Sequence, residues 1–322
     1  MRFRSGRLLM RLLFVRRMRS VLKSIRVQRL GNLSVYHIWN RLVENFRKHE
    51  ILERSNAVAY NLILAIFPAV IFLFTLIPYI SLLFPELNQE SIMGFLATMM
   101  PKNMYETISA TVLDIVSNQR GGLLTFGFGA ALYLATNGMN ALIHAFNSCY
   151  KTTELRSAWR VRLTATALTL LLAVVLLVTV VMVIAGQILL DYIGANLRQF
   201  SHLQLDEFTL LMIQVMRLAV VFTGFFLAIS CIYYFGPSVH YNWSFFSVGS
   251  FVATLGSIAV SYGFSAYVTG IGSYNKLYGS IGVLIALMVW IQLLSVVLLG
   301  GYELNSTIHR LEHEVRPFIK KN

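Results

Sequence analysis

The chain has 322 residues, of which 57% are hydrophobic and only 13% charged, with a net charge of +13 at neutral pH. Ordinary soluble domains carry about 25% charged residues, so this composition excludes a water-soluble globular protein. Two cysteines exclude a disulfide framework, and both Cys149 and Cys231 read as reduced packing residues.

Residues 1–54 read as a basic arm. Arg11, Arg16 and Arg17 interrupt the apolar stretch Leu8 to Val15, which leaves no signal-peptide core followed by a small-residue cleavage site, so cleavage is not expected. Leu8, Leu12, Val15, Met18 (or Arg19), Leu22 and Ile25 recur at helical spacing among nine arginines. That is the pattern of a helix lying on an anionic inner leaflet; a flexible tail that only enforces orientation is the alternative. Nucleic-acid binders are also basic, but this arm precedes a membrane span and holds no nucleic-acid module, so no nucleic-acid partner is expected.

Residues 55–308 read as an all-α transmembrane domain. Runs such as Ala167 to Ile184 are far longer than the ~4 to 8 residues of a buried strand. Six segments reach the roughly 20 residues that cross a hydrocarbon core: Ala57 to Phe84, Leu123 to Phe146, Leu163 to Ile193, Phe208 to Phe235, Phe245 to Val268 and Gly279 to Leu304. Pro68 and Pro78 lie inside the first, where each removes a backbone hydrogen bond, so a bend or local break is expected.

Between the first two segments, the loop 85–120 carries a second amphipathic pattern. Ile92, Phe95, Leu96 and Met99 precede Pro101, and Tyr105, Ile108, Val112 and Ile115 follow it. Two short interfacial helices broken at Pro101 are expected, either capping a cavity or resting on lipid.

The second segment holds the best functional clue. Tyr133, Asn137, Asn140, His144 and Asn147 follow steps of four, three, four and three, which places them on one helical face. Polar groups in lipid need partners, so this stripe faces other helices or water. It is either interhelical hydrogen bonding or the wall of a pathway for a solute or lipid headgroup. Asn56, Tyr60 and Asn61 on the first segment and Glu303 and Asn305 on the sixth lie at the same end of the membrane. Together these ten residues define a proposed inward-facing polar pocket with Glu303 as counter-charge. Hydration of Glu303 at headgroup level is the plain alternative.

Arg217 sits nine residues inside the fourth segment, about 13 Å deep at 1.5 Å per residue. A partner is expected there, either Asp191, Asp206 or Glu207, or a lipid phosphate. On the fifth segment Gly249, Ala253, Ser257, Ser261 and Ser265 recur every fourth residue and form a flat seam for close helix packing. Residues 309–322 read as a hydrated tail. His309 and His313 beside Glu312 and Glu314 have metal-compatible spacing, but neither a metal nor a cofactor is expected, and no catalytic motif points to an enzyme.

Lysine and arginine set the orientation. With both termini in the cytoplasm, the inside segments hold 22 of the 27 basic residues, 14 of them up to and including Arg54, as the positive-inside rule requires.

The stretch Ala57-Val-Ala-Tyr60-Asn-Leu-Ile-Leu-Ala-Ile-Phe67-Pro68, the Tyr-Phe-Gly236-Pro237 turn, and Tyr278-Gly279-Ser280-Ile-Gly282 leading through Trp290 to Gly300-Gly301-Tyr-Glu303-Leu-Asn305 resemble the YihY/BrkB family of bacterial inner-membrane proteins. The resemblance spans about residues 35 to 310. Asn61 and Ser238 depart from the pattern, and the first 35 residues look peculiar to this chain. The resemblance implies six transmembrane helices and an envelope role for which transport of a lipid or amphiphile has been proposed. Members once carried a ribonuclease BN label, but nothing here resembles a metal-dependent nuclease site.

The expectation is therefore a six-helix inner-membrane bundle that moves an envelope lipid or amphiphile. Its partners would be membrane lipids, with the arm on the anionic inner leaflet, and envelope-assembly proteins. A non-transporting scaffold is the alternative, and an intramembrane enzyme is least favoured. The sequence sets no oligomeric state.

Overall fold

A computed structural model describes residues 26–27, 33–48, 50–80, 90, 93–94, 97, 102–149, 154–197, 207–238, 244–270 and 274–319. The expected helix on residues 8–25 and the loop positions Ile92, Phe95, Leu96 and Met99 lie outside them. A short antiparallel pairing joins β1 (Arg26–Val27) to β2 (Leu33–Ser34). The long elements are helices: α1 (Val35–Lys48), α2 (Ile51–Ile80), α3 (Lys102–Ser117), α4 (Gly121–Cys149), α5 (Ala158–Leu197), α6 (Glu207–Phe235), α7 (Val248–Gly270) and α8 (Tyr274–Ile319).

Five stretches are long and apolar enough to cross a membrane: Ile51–Tyr79, Ala158–Val183, Gln214–Phe235, Val248–Tyr267 and Leu284–Glu312. The expected second span forms as α4, a 29-residue helix, but it is not among those five. Its polar stripe and its glycines dilute its apolar character, and its burial comes from protein instead. It packs most closely on α2, where the Gly127 backbone comes up against Phe72 and that of Gly138 against Leu62. A Cβ at Gly138 would sit 2.8 Å from the Leu62 side chain, so glycine is what lets these two helices approach.

α2 runs through Pro68 and Pro78 as one helix, so the local break expected there does not occur. α1 is separated from it by a sharp turn at Glu50, whose φ of 50° lies in the left-handed region that non-glycine residues seldom adopt. α3 begins directly after Pro101, as its pattern required, and docks on α2: Val112 and Val116 are buried against Phe74, Ile77, Met93 and Tyr105.

At the start of α7 the cap is reciprocal. The Ser250 amide donates to the Ser247 hydroxyl and the Ser247 amide donates to the Ser250 hydroxyl, each at 3.1 Å, which satisfies donors that a helix start leaves open. The seam on α7 meets α8 as expected. A Cβ on Gly249 would lie 2.1 Å from the Gly301 carbonyl oxygen, and the Ser261 hydroxyl accepts a hydrogen bond from the Trp290 indole at 3.2 Å.

The neighbours close a ring in the order α2, α4, α5, α6, α7, α8 and back to α2, with α4 also touching α8. Burial within this ring is lopsided. One apolar core draws on all six helices, through Ile51, Ile143, Phe146, Ala165, Ile232, Tyr233, Ala253, Leu299 and Tyr302. All of these lie toward the end of the bundle that carries α1 and the turn before α5, which is the basic end. Beyond Leu168 on α5, before Gly224 on α6 and after Ser257 on α7, no described residue is buried, and before Ser295 on α8 only Gly282 is. Among the described residues, α5 to α8 are thus packed at the basic end and thinly covered toward the other, where α2 stays packed against α3 and α4.

Candidate functional site

At the solid end Phe146 stacks on Tyr302 with ring centroids 4.1 Å apart, and Tyr233 meets both edge-on at 5.5 Å. The Tyr233 hydroxyl donates to the Leu298 carbonyl at 2.5 Å, which satisfies the polar tip of a buried ring.

Around this aromatic knot lies a polar collar. Asn147 is buried, and its carbonyl accepts from the Ser238 amide at 2.9 Å and the Ser238 hydroxyl at 3.1 Å while its amide donates to Glu154 at 2.6 Å. Arg156 donates to the same carboxylate from its backbone and its guanidinium, and also to the Gly236 carbonyl at 2.9 Å. The Arg156 guanidinium and amide, with help from Asn147, hold the Glu154 carboxyl below its usual range, against the opposing effect of partial burial. The loop before α5, the end of α4 and the Gly236-Pro237 turn are thereby tied into one clamp. Arg54 donates to the Ser148 hydroxyl at 2.7 Å, and Arg310 donates to the Cys149 carbonyl at the end of α4, where cations suit a helix terminus.

The ten residues of the proposed pocket fall into separate settings. Asn147, Glu303 and Asn305 belong to the solid end. Glu303 is fully buried, and its carboxylate accepts from the Thr307 hydroxyl at 3.3 Å. Asn305 caps α7, its carbonyl accepting from the Gly249 amide and its amide donating to the Ser247 hydroxyl, both at 2.7 Å. On α2, Tyr60 is 63% exposed. Asn61 donates to the Ala57 carbonyl on its own helix. Asn56 is exposed and accepts from Gln292 of α8, which also donates to Ser55 at 3.0 Å.

The α4 stripe divides further. Asn137 accepts from Arg162 of α5 at 2.5 Å, and the same guanidinium stands 4.5 Å over the Tyr133 ring, a cation–π contact. His144 is exposed. Asn140 is different, because its carbonyl oxygen is buried and has no hydrogen-bond partner among the described residues. Thr136 one turn away and Ser230 of α6 share that condition, as does Ser306 at the solid end. Gly236 sits against Ile143 and Phe146. Ser230 is one and two-thirds turns farther from the solid end, about 9 Å along the axis, which brings it level with the stretch of α4 that holds Asn140. Thr136, Asn140 and Ser230 therefore stand where the packed core gives way to the loosely packed half.

Arg217 is exposed on α6 and makes no hydrogen bond or ion pair among the described residues. The side chains of its expected partners Asp191, Asp206 and Glu207 lie outside the described set.

Sequence reasoning missed Arg162, Gln292 and the Glu154–Arg156 pair as structural partners. Gln292 was visible as a lone amide in an apolar run. Arg162 had been absorbed into the positive-inside count, and nothing in its spacing pointed toward Asn137.

The family described as virulence factor BrkB matches residues 42–321 of this chain. The chain is similar to the ribonuclease-like protein YfkH of Bacillus subtilis (strain 168), with 31% identity over 273 residues that cover 84% of this chain and 94% of that protein. No solved structure matches it.

Proposed function

The chain belongs to the virulence factor BrkB family, and from that premise we propose that it is a six-span inner-membrane carrier that moves an envelope lipid or other amphiphile. In this reading α4 is the sixth span, packed between α2 and α5. The basic end faces the cytoplasm, in line with the distribution of lysine and arginine.

The observation that carries the reading is the lopsided bundle. Six helices meet in a packed core at one end, and among the described residues α5 to α8 leave their flanks uncovered toward the other. At the boundary, Thr136, Asn140 and Ser230 keep buried polar atoms without partners among the described residues. Such atoms cost roughly 1 to 3 kcal/mol each when unsatisfied, so they suit a place where a headgroup or water completes their bonds in passing. The polar collar at the basic end acts as the closed gate. We take the role to be non-enzymatic, and the ribonuclease-like name of the relative is not transferred.

The test is lipid translocation by the full chain reconstituted in vesicles that contain a fluorescent phospholipid. The wild type is expected to accelerate exchange between leaflets, and Asn140→Leu to slow it several-fold. A wild type that leaves exchange at the protein-free rate overturns the carrier reading, and RNA hydrolysis by the purified chain overturns its non-enzymatic part.

A further inference from the structure

A second lipid-facing feature lies on a different side of the molecule. α1 lies across the basic end of α7 and α8, with Asn45 donating to Thr307 at 3.1 Å and Ile38 packed on Leu311. Beneath it the three helices enclose a groove of about 450 Å³, within the size range of ligand sites. Trp39 and Phe46 line it from α1, Val252 and Gly256 from α7, and Gly300 from α8. It opens between two stretches long and apolar enough to cross a membrane, Val248–Tyr267 and Leu284–Glu312, so on the membrane reading of those spans it faces lipid.

One charged residue lines this groove, Arg47 at the end of α1. The other cations of α1 are engaged: Lys48 reaches Glu44 at 2.6 Å and Arg41 reaches it at 3.9 Å. Arg47 is exposed, and its guanidinium makes no hydrogen bond or ion pair among the described residues. Trp39, 57% exposed on the same helix, stands where amphipathic rings sit at headgroup level. An apolar slot beside apolar spans, with a guanidinium at its rim that has no partner among the described residues, matches one molecule on both counts.

We propose that this groove holds an acyl chain of an anionic glycerophospholipid from the leaflet at the basic end, its phosphate paired with Arg47. A guanidinium presents two parallel donors to a phosphate, and the small side of the slot at Gly256 and Gly300 leaves room for the chain beside it. The occupied groove fixes α1 against α7 and α8. This site rests on the membrane reading of the spans and not on the transport proposal, since it lies outside the ring.

The experiment is photolabelling of the full chain in phosphatidylcholine vesicles doped with phosphatidylglycerol that bears a diazirine on one acyl chain. A diazirine phosphatidylcholine is the reference probe. Labels are expected on the peptides that hold Val252 to Gly256 and Val296 to Gly300, with the phosphatidylglycerol probe favoured. Arg47→Gln should lower that preference about fivefold, the weight of one basic residue beside an anionic surface, and reduce phosphatidylcholine labelling less, because the choline cation already offsets that lipid's phosphate. Val252→Trp, at a position 45% exposed and so tolerant of size, should reduce labelling by both probes. Labels spread evenly over other faces, an unchanged lipid preference in Arg47→Gln, or a cysteine at Val252 that cross-links to a second copy would each overturn the proposal. Because the readout is binding, its failure leaves the translocation assay untouched, and the reverse holds too.

Discussion

Asn147 and Ser238, 91 residues apart, are joined by two hydrogen bonds to one carbonyl oxygen, at 2.9 and 3.1 Å. With Glu154 on its amide, buried Asn147 makes three of the four hydrogen bonds its side chain can form, so it is a pin between the end of α4 and the turn after α6. Asn147→Ala is expected to destabilise the fold by about 2 to 3 kcal/mol, because it removes three bonds and leaves partly buried partners unmatched. Asn147→Asp should be worse, since it sets a second carboxylate against Glu154. Thermal unfolding in detergent decides the matter, and a melting curve within error of the wild type would rule out the pin.

The clamp carries a pH signature. Glu154 titrates below its ordinary value of 4.5, first because of its hydrogen bond with Arg156. The folded state therefore holds this proton less tightly than the unfolded chain does. Its contribution to stability is complete above the unfolded pKa and is lost as pH falls through the lower folded value. Wild-type melting temperature should drop below about pH 5 more steeply than that of Glu154→Gln. Parallel pH profiles for the two proteins would show that the clamp is electrostatically idle.

Thr136, Asn140 and Ser230 invert the usual relation between stability and function. Each holds a buried oxygen without a partner among the described residues, so Thr136→Val and Ser230→Ala should leave stability unchanged or raise it by about 1 kcal/mol. Both should also lower lipid exchange. A variant that melts higher and still translocates at the wild-type rate would place these oxygens outside the pathway.

Two glycines predict opposite results. A Cβ on Gly249 would lie 2.1 Å from the Gly301 carbonyl, whereas one on Gly129 meets nothing within 4 Å. Gly249→Ala is expected to lose about 1 to 3 kcal/mol through forced separation of α7 and α8, and Gly129→Ala to gain a few tenths up to about 1 kcal/mol from helix propensity. Equal melting temperatures for the pair would contradict the close contact.

Arg162→Met should cost about 1 to 2 kcal/mol, since it releases both the charge-assisted bond to Asn137 and the contact over Tyr133. Its effect should vanish in an Asn137→Ala, Tyr133→Leu background. Additive losses in that double-mutant cycle would mean that the guanidinium acts elsewhere.

How far the site was legible depends on the kind of interaction. The seam of Gly249, Ala253 and Ser257 was readable because a period of about four residues is a local property of one helix, and it does meet α8. The stripe from Tyr133 to Asn147 was readable as one face for the same reason. What each member touches was not, because partners such as Arg162, Ser238 and Glu154 come from other helices or loops and leave no mark in local spacing. His144 is exposed while Asn147, one turn on, is sealed. Unequal neighbours split a face that periodicity treats as uniform.

The family, the helical class and most of the helices apolar enough to cross a membrane were legible in the sequence alone, since apolar run length and short motifs are one-dimensional quantities. Tertiary structure alone decided which end of the bundle is packed, that Glu303 and Asn305 are interior fastenings, and that α1 roofs an apolar groove with Arg47 at its edge. Those outcomes depend on which side chains from distant segments compete for the same few ångströms, and a pattern along one strand of sequence does not record that competition.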